Sequence, residues 1–185
     1  YHHTSREESD KIRSMLEKVF SNTLLSLYPS DSKINVLDAG CGLGFLTAIA
    51  ARCFPQSKIT CVDIFDDESL PGNSIEMTIA NMRILGIDSR VEIVKHDLTK
   101  PLERENQYDI VMSNLVFHNL GVKRFSAYET IFKVIKEKGT FILADLFPHY
   151  MDDIKYFSER YNIVNNQIIF DSSKWEYRLL VMNKK

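Results

Sequence analysis

The amino-acid sequence predicts an α/β fold, a three-layer sandwich built on a mostly parallel seven-stranded sheet that ends in an antiparallel hairpin. Apolar strands alternate with helical segments of about ten to fifteen residues, a pattern that requires right-handed crossovers and a parallel sheet covered on both faces. The last two strand-like runs, 163–170 and 175–182, are separated by four turn residues, which can join only antiparallel strands. A chain of 185 residues can bury enough surface to fold as a single domain, 1–185.

The individual elements follow from local patterns along the chain. Ser5 and Glu8 have the spacing of a capping box, and apolar residues at helical intervals then predict an amphipathic first helix within 1–28. Pro55 stops the second helix, Gly86 closes the third, and a Lys-Gly turn at 138–139 ends the fourth. The first five strands are predicted at 33–38, 58–64, 90–94, 108–114 and 140–145, and the later helices at 45–54, 75–85, 125–135 and 150–161.

Composition and charge exclude several classes of protein. Lys and Arg number 23 against 25 Asp and Glu, and the formal net charge of -2 gives no bulk electrostatic attraction to nucleic acid or anionic lipid. No run of about 18 apolar residues could span a bilayer, and the N-terminus lacks the apolar core of a signal peptide, so we expect a cytoplasmic protein without membrane association. Cys41, Cys53 and Cys61 match no zinc or redox spacing, which predicts buried reduced thiols and no metal site.

A glycine-rich turn joins the first strand to the helix that follows it, in the pattern Asp38-x-Gly40-x-Gly42-x-Gly44. Glycine is required there because a Cβ atom would collide with a ligand or forbid the backbone angles. The turn lies at the carboxyl edge of the predicted sheet, where open α/β sheets bind ligands. The pattern therefore indicates a nucleotide-like ligand, and the alternative is a turn that binds nothing.

Two acids narrow the chemistry of this ligand. Asp63 ends the second strand 19 residues after Gly44, where a carboxylate can accept hydrogen bonds from both hydroxyls of a ribose. Asp38 precedes the glycines, and its charge would repel the pyrophosphate of a dinucleotide but attract the ammonium and sulfonium groups of S-adenosylmethionine. The glycines are also spaced Gly-x-Gly-x-Gly and not Gly-x-Gly-x-x-Gly. These features favour a cationic adenosine compound.

The chain resembles the class I S-adenosylmethionine-dependent methyltransferases over essentially its whole length. The resemblance rests on the reversed last strand and on five segments in order along the chain: 36–44, 61–64, 96–98, 108–114 and 138–143. It implies a Rossmann-like fold, methyl transfer and S-adenosylmethionine as the cofactor. The cofactor-binding residues that it implies are Asp38, Gly40, Cys41, Gly42, Gly44, Asp63, Ile64, Asp97, Leu98 and Asn114.

The resemblance also implies a role for each group of residues: Asp38 and the glycine loop for the methionyl part, Asp63 for the ribose, Asp97 and Leu98 for the adenine, and the Asn114 backbone for the methyl-donor end. For Asp97 the alternative is an ordinary cap at the end of the third strand. Asp109 is interpreted as a structural residue at the start of the fourth strand and not as a ligand.

Methyl transfer from a sulfonium is an in-line displacement on an activated carbon, so positioning supplies much of the acceleration and a general base is optional. His118 follows the fourth strand at the mouth of the cleft and is the catalytic candidate; the alternative is a cap or packing residue. The expected acceptor-binding residues are His118, Asn119, Asp145 and Tyr150. An aromatic cluster, defined as Phe147, His149, Tyr150, Tyr156 and Phe157, is expected to form either an apolar acceptor wall or part of the core.

The acceptor is expected to be a small molecule. Residues 113–116 lack the prolines and the stacking aromatic of the Asn-Pro-Pro-Tyr pattern, which disfavours methylation of the planar nitrogens of bases or amides. Because the chain has no large insertion, the roof of the active site is expected to come from the helix within 1–28 placed over the cofactor cleft, from another subunit of a homo-oligomer or a partner, or from the substrate itself.

Two other classes of protein are alternatives to an S-adenosylmethionine-dependent methyltransferase. An NAD-dependent dehydrogenase would share the glycine loop and Asp63, but 185 residues leave no room for its substrate domain. A non-catalytic partner subunit with the same fold would keep the cofactor motif without transferring a methyl group. Titration with S-adenosylmethionine and, separately, with NAD distinguishes these alternatives.

Overall fold

The computed structural model describes residues 5–66, 72–171 and 176–185. The helices are α1 (Arg6–Leu27), α2 (Phe45–Cys53), α3 (Ile75–Ile84), α4 (Arg124–Val134) and α5 (Tyr150–Arg160). The strands are β1 (Asn35–Ala39), β2 (Lys58–Asp63), β3 (Val91–Lys95), β4 (Tyr108–Asn114), β5 (Ile135–Leu146), β6 (Tyr161–Asp171) and β7 (Glu176–Lys184). Two 3-10 helices that the sequence patterns did not predict lie at Asp88–Arg90 and Phe117–Lys123.

The seven strands form one sheet in the order β3-β2-β1-β4-β5-β7-β6. The first five strands pair in parallel, and β7 pairs antiparallel with both β5 and β6. This confirms the α/β class and the terminal hairpin, with the reversed strand β7 inserted beside β5. Most of the predicted hairpin turn and its following residue, 172–175, lie outside the described residues.

Two apolar layers pack on opposite faces of the sheet, because successive strand residues point to opposite sides. In β1, Val36 belongs to the layer under α1 and α2, whereas Leu37 belongs to the layer under α4 and α5. Phe20 of α1 and Tyr128 of α4 are examples of large side chains that these layers bury completely or almost completely. Fully buried strands with helices on both faces account for the continuous apolar runs in the sequence.

Helix α1 begins at the predicted capping box. The Glu8 amide N–H donates to Ser5 Oγ at 3.2 Å, and the Ser5 amide N–H donates to Glu8 Oε2 at 3.0 Å. The helix packs its apolar side against the layer that contains α2, and Arg52 of α2 forms an ion pair with Glu17 at 2.8 Å. Its placement over the cofactor cleft stays a prediction.

Strand β5 begins five residues earlier than predicted. Lys138 and Gly139 do not separate α4 from the strand but form an irregularity within it, where the register against β4 shifts between Tyr108 and Ile110. Lys138 has a φ of 63°, and a Cβ on Gly139 would lie 2.9 Å from the carbonyl oxygen of Lys136. The Lys-Gly pair therefore provides the backbone angles of a bulge, which a local pattern does not distinguish from a turn.

The cysteines, the length of the helices and the surroundings of Asp109 were also the subject of predictions from the sequence. Cys41, Cys53 and Cys61 are free and buried, as predicted. In the part of the chain that the structure describes, no helix combines the length and the apolar character needed to cross a membrane. Asp109 lies at the start of β4, where it accepts from the Asn35 amide at 2.8 Å and pairs with Lys136. These contacts are structural.

Candidate cofactor and acceptor site

The carboxyl ends of β1, β2, β3 and β4 lie at one edge of the sheet, because these strands are parallel neighbours. The turn after β1 is fixed to β2 by the amides of Gly40 and Cys41, which both donate to the Val62 carbonyl oxygen at 2.7 and 3.1 Å. The His96 amide after β3 donates to the Asp63 carbonyl oxygen at 2.9 Å. The sequence-predicted acids after these strands are therefore brought to the same edge.

The glycine loop adopts backbone conformations that other residues avoid. Gly40, Gly42 and Gly44 have φ values of 77°, 49° and 89°, in the left-handed region. A Cβ on Gly40 would lie 2.2 Å from Cγ2 of Val116, and a Cβ on Gly44 would lie 2.3 Å from Cε of Met82. Gly40 is thus required by close packing against the branched Val116 as well as by its backbone angles, whereas at Gly44 the flexible end of Met82 can move and the backbone angle sets the requirement.

Asp38 is almost completely buried beneath this loop, with 1% of its surface exposed. Its Oδ2 accepts from the amide of Thr47 at 2.8 Å and from the Thr47 hydroxyl at 2.6 Å. Burial is the main cause that raises the pKa of Asp38 to about 7, with a smaller contribution from the nearby charge of Asp63, although the two bonds from Thr47 act in the opposite direction. A cation placed beside this carboxyl would favour its ionised form.

Asp63 at the end of β2 is a hub of hydrogen bonds. Its Oδ2 accepts from the Gly42 amide at 2.9 Å, and its Oδ1 accepts from the Phe65 amide at 2.8 Å and from Asn73 Nδ2 at 3.0 Å. Asn73 is 5% exposed, and its Oδ1 is one of two buried side-chain polar atoms without a hydrogen-bond partner among the described residues. An acceptor with no donor beside a carboxylate is suited to a ligand that brings hydroxyl groups.

The remaining predicted cofactor residues differ in their surroundings. Ile64 follows Asp63 with 45% of its surface exposed, whereas Leu98 is buried in the apolar layer under α4. Asp97 Oδ1 accepts from the amide and the hydroxyl of Thr99, at 2.9 and 2.7 Å, and the hydroxyl bond is the main cause of the lowered pKa of Asp97. These bonds are those of the strand-ending cap that the sequence left as the alternative.

Asn114, the last residue of β4, is held by β7. The hydroxyl of Tyr177 donates a hydrogen bond to Asn114 Oδ1. The next residue, Leu115, has a φ of 57° and donates its amide to the Ala144 carbonyl oxygen of β5 at 2.9 Å. The backbone therefore turns sharply at the methyl-donor end that the resemblance assigns to Asn114.

His118 and Asp145 lie together beyond this turn. Nδ1 of His118 is 2.5 Å from Asp145 Oδ1, and the side chains are 22% and 1% exposed. Asp145 also accepts from the amides of Phe117 at 2.8 Å and Leu146 at 2.7 Å. An acceptor-only carboxylate favours the tautomer with the proton on Nδ1, which leaves Nε2 of His118 as a hydrogen-bond acceptor.

A cavity of about 360 Å³ opens beside His118. Its walls are formed by His118, Leu146, Phe147, Pro148, Tyr150, Glu176 and Arg178. Two of the four predicted acceptor residues, His118 and Tyr150, thus line one space. Asp145 lies behind His118, and Asn119 is exposed on the 3-10 helix. A cavity of this volume is at the lower end of the range for small-molecule sites.

The predicted aromatic cluster is divided between this cavity and the core. Phe147 and Tyr150 meet edge to face with ring centroids 6.2 Å apart, on the cavity wall. Phe157 is fully buried and packs on Tyr128 at 4.6 Å, and Tyr156 lies 5.5 Å from Tyr128. His149 precedes α5 and is exposed. Of the cluster, only Phe147 and Tyr150 therefore lie on the cavity wall.

The sequence patterns did not identify several of the residues that make contacts at this edge. Thr47 lies three residues after Gly44, a fixed spacing that could have identified it as a partner of Asp38. Tyr177 and Arg178 could not have been identified, because their roles depend on which strand lies beside which and in what register. Asn73 precedes α3 in a loop, and its role depends on the contact that this loop makes with Asp63 at the end of β2.

The fold and this edge together define a nucleoside-binding α/β domain whose carboxylates suit a cationic ligand, which is the architecture of the class I S-adenosylmethionine-dependent methyltransferases. Residues 30–182 match a family model described as a methyltransferase domain, and the chain belongs to this family. S-adenosylmethionine is the cofactor of the class.

Curated relatives with detectable similarity modify different acceptors, according to their names. The malonyl-[acyl-carrier protein] O-methyltransferase of Acetivibrio thermocellus is 35% identical over 104 residues, covering 55% of this chain and 33% of that protein. The ribosomal RNA small subunit methyltransferase C of Serratia proteamaculans is 29% identical over 141 residues, covering 72% of this chain and 37% of that protein. The chain thus spans about a third of the length of these relatives.

Solved structures share the fold at low sequence identity. The geranyl diphosphate C-methyltransferase of Streptomyces coelicolor A3(2), in complex with Mg²⁺, geranyl diphosphate and S-adenosylhomocysteine, has a TM-score of 0.70 and 13% identity, covering 99% of this chain and 85% of that one. The [4+2]-cyclase SpnF has a TM-score of 0.73 and 13% identity, covering 91% and 81%.

The residues at the edge fit the cofactor of the family. Asp63 offers acceptors for ribose hydroxyls, as does Asn73 Oδ1, to which none of the described residues donates a hydrogen bond. The buried Asp38 carboxyl offers a negative charge for a cationic methionyl group. The glycine loop between them leads into α2, whose N-cap residue, Gly44, has no side chain to accept from the first amides of the helix, although Asp38 accepts from the Thr47 amide in the same turn. A carboxylate is favourable at such a position.

Proposed function

We propose that the protein transfers a methyl group from S-adenosylmethionine to an oxygen of a small-molecule acceptor that occupies the cavity beside His118. The observation on which this proposal rests is His118 on the wall of that cavity, held from behind by Asp145 and next to the turn that follows Asn114. The relative named as an O-methyltransferase supports oxygen as the acceptor atom.

The role of the cofactor-binding residues is to hold and orient S-adenosylmethionine. S-adenosylmethionine, when bound, supplies a methyl group already activated by its positive sulfur. Asp63 and Asn73 accept hydrogen bonds from the ribose, Asp38 balances the positive charge of the methionyl group, and the exposed Ile64 provides an apolar surface for the base. Fixing both reactants is sufficient for much of the rate acceleration in an in-line displacement.

The residues around the acceptor remove the proton from its hydroxyl group. A hydroxyl is a poor nucleophile while it keeps its proton, and Nε2 of His118 can accept that proton as the oxygen–carbon bond forms. Asp145 orients the imidazole through Nδ1 and stabilises the imidazolium that results. Because Asp145 is 1% exposed and held by backbone amides, it cannot turn away from His118 at low cost.

The proposal is tested by methyl transfer to small molecules. S-adenosylmethionine carrying a radiolabelled methyl group is incubated with the protein and a cell extract separated by size, and label is expected in the small-molecule fraction. His118→Ala is expected to lower turnover by at least about a hundredfold, the usual contribution of a general base, with unchanged affinity for S-adenosylhomocysteine. His149→Ala, which changes an exposed histidine outside the cavity wall, is the control. Unchanged turnover in His118→Ala would contradict the assignment of the base.

A second candidate is a protein of this fold that binds the cofactor without transferring its methyl group. The reason for this second candidate is that a solved structure with the same fold is named as a cyclase and not as a methyltransferase. Calorimetry that detects S-adenosylmethionine binding, combined with no labelled product in any size fraction, would support it. Binding of NAD instead of S-adenosylmethionine would indicate an oxidoreductase and contradict both candidates.

A further inference from the structure

The cavity beside His118 contains one guanidinium group, that of Arg178 on β7. The side chain is 18% exposed, so most of it is out of contact with solvent. Arg178 pairs in register with Asp145 across the β5–β7 ladder, and paired residues project from the same face of a sheet. Arg178 and Asp145 therefore lie on the same side of the sheet, and Arg178 and His118 line the same cavity.

Arg178 is held in place by neighbours from two other elements, α5 and β6. Its guanidinium carbon lies 4.5 Å from the centroid of the Tyr150 ring on α5, a cation–π contact. Its Nη1 donates to Asn166 Oδ1 on β6 at 3.2 Å, and Asn166 Nδ2 in turn donates to the Tyr150 hydroxyl at 2.6 Å. This network fixes the plane of the guanidinium independently of its acidic partner.

The acidic partner, Glu176, is held much less firmly. Both Nε and Nη2 of Arg178 donate to the same oxygen, Glu176 Oε2, at 2.8 and 2.6 Å. The side chain of Glu176 is 47% exposed, against 18% for Arg178. A carboxylate from a ligand could take the place of Glu176 without moving Arg178, because it would accept the same hydrogen bonds while the half-exposed Glu176 side chain turns toward solvent.

We propose that the acceptor is a small hydroxy acid whose carboxylate binds Arg178 while its hydroxyl faces His118. The inference deepens the proposed methyl transfer and rests on it. Arg178 offers the planar donor geometry that suits a carboxylate, and Phe147 and Tyr150 offer an apolar wall for the body of the molecule. The hydroxyl oxygen forms a bond to the methyl carbon, the sulfur–methyl bond breaks, and the hydroxyl proton goes to His118. The product is a methyl ether, and the carboxylate is unchanged.

Matched probes test the class of acceptor. 4-Hydroxybenzoate, 4-hydroxyphenylacetate and 3-hydroxybutyrate are each compared with their methyl esters by calorimetry, in the presence of S-adenosylhomocysteine. At least one acid is expected to bind about tenfold or more tightly than its ester, since the ester cannot pair with a guanidinium. No detectable binding of any of the three acids at about 10 mM, or equal binding of acids and esters, overturns the proposal.

Two variants move the affinity in opposite directions. Arg178→Met is expected to weaken binding of the acid about tenfold or more and to leave the ester unaffected, whereas Glu176→Gln is expected to strengthen binding of the acid because the internal competitor loses its charge. Arg160→Met is the control: Arg160 also stacks on a tyrosine, 4.0 Å from the Tyr156 ring, and also pairs with a neighbouring glutamate, but it lies outside the cavity. Equal effects of Arg178→Met and Arg160→Met overturn the proposal.

The product distinguishes failure of this proposal from failure of the proposed function. With labelled S-adenosylmethionine and the acid that binds most tightly, the labelled product is expected to resist alkali, as an ether does. A labelled product that alkali hydrolyses is a methyl ester, which would mean that the carboxylate is the acceptor and would overturn the anchoring role of Arg178 while the methyltransferase function stands. If the protein does not bind S-adenosylhomocysteine at all, the proposed function fails first.

Discussion

Replacing the buried Asp38 with asparagine is expected to stabilise the ligand-free protein at neutral and alkaline pH. Burial raises the pKa of this carboxyl to about 7, whereas aspartate in an unfolded chain has a pKa of about 3.9. Asparagine keeps the size of the side chain and an oxygen that can accept from the Thr47 amide, but it has no charge to remove from water.

The sign of the pH dependence follows from the number of protons bound. Between about pH 4 and pH 7 the native protein holds a proton on Asp38 that the unfolded chain has lost, so the free energy of unfolding of the wild type falls as the pH rises. The interval of about three pKa units corresponds to about 4 kcal/mol. The full penalty is present above about pH 7 and disappears below about pH 4, where both states are protonated.

Urea unfolding followed by circular dichroism, from about pH 5 to about pH 8, measures this penalty as the difference between Asp38→Asn and the wild type. The difference is expected to grow with pH by about 2–3 kcal/mol over this range. Asp97→Asn is the control: bonds from Thr99 lower the pKa of Asp97, so that carboxyl is ionised in both states and its difference should stay constant. The reasoning would be refuted if the difference in unfolding free energy between Asp38→Asn and the wild type stayed constant with pH. It would also be refuted if the variant became less stable relative to the wild type as the pH rises.

Three further predictions concern the glycine loop, with Asp38 beneath it, and the buried ion pair between Arg124 of α4 and Asp153 of α5. Asp38→Asn is expected to weaken binding of S-adenosylhomocysteine at about pH 8 in calorimetry, because the ammonium group loses a negative partner; unchanged affinity contradicts a role for Asp38 at the cofactor. Gly40→Ala is expected to cost about 1–3 kcal/mol in urea unfolding from its left-handed backbone alone, with more from the overlap with Val116, and adding Val116→Ala should recover only the overlap. Arg124→Met is expected to cost about 3–5 kcal/mol in the same assay because Asp153, 1% exposed and bound at 2.6 Å, is left as an unpaired buried charge; a loss below about 1 kcal/mol would count against this.

The local patterns of the sequence specified most of the fold. The glycine loop after β1 and the acid at the end of β2 could be placed because each lies directly after a strand, and parallel strands bring their carboxyl ends to one edge. The terminal hairpin could be predicted from the length of its connection. The sequence patterns failed at Lys138 and Gly139, since the backbone of a bulge uses the same residues as a turn.

The sequence by itself determined the class of ligand, because the chemistry of a strand, a glycine turn and a nearby acid is local and survives without knowledge of distant contacts. The tertiary structure alone decided that His118 meets Asp145, 27 residues away, and that Arg178 joins them in one cavity. The first contact depends on β4 lying beside β5, and the second depends on the register of β5 against β7, where a shift of one residue would turn Arg178 to the opposite face of the sheet. It also decided that Asp38 is buried, since burial depends on everything packed around the loop.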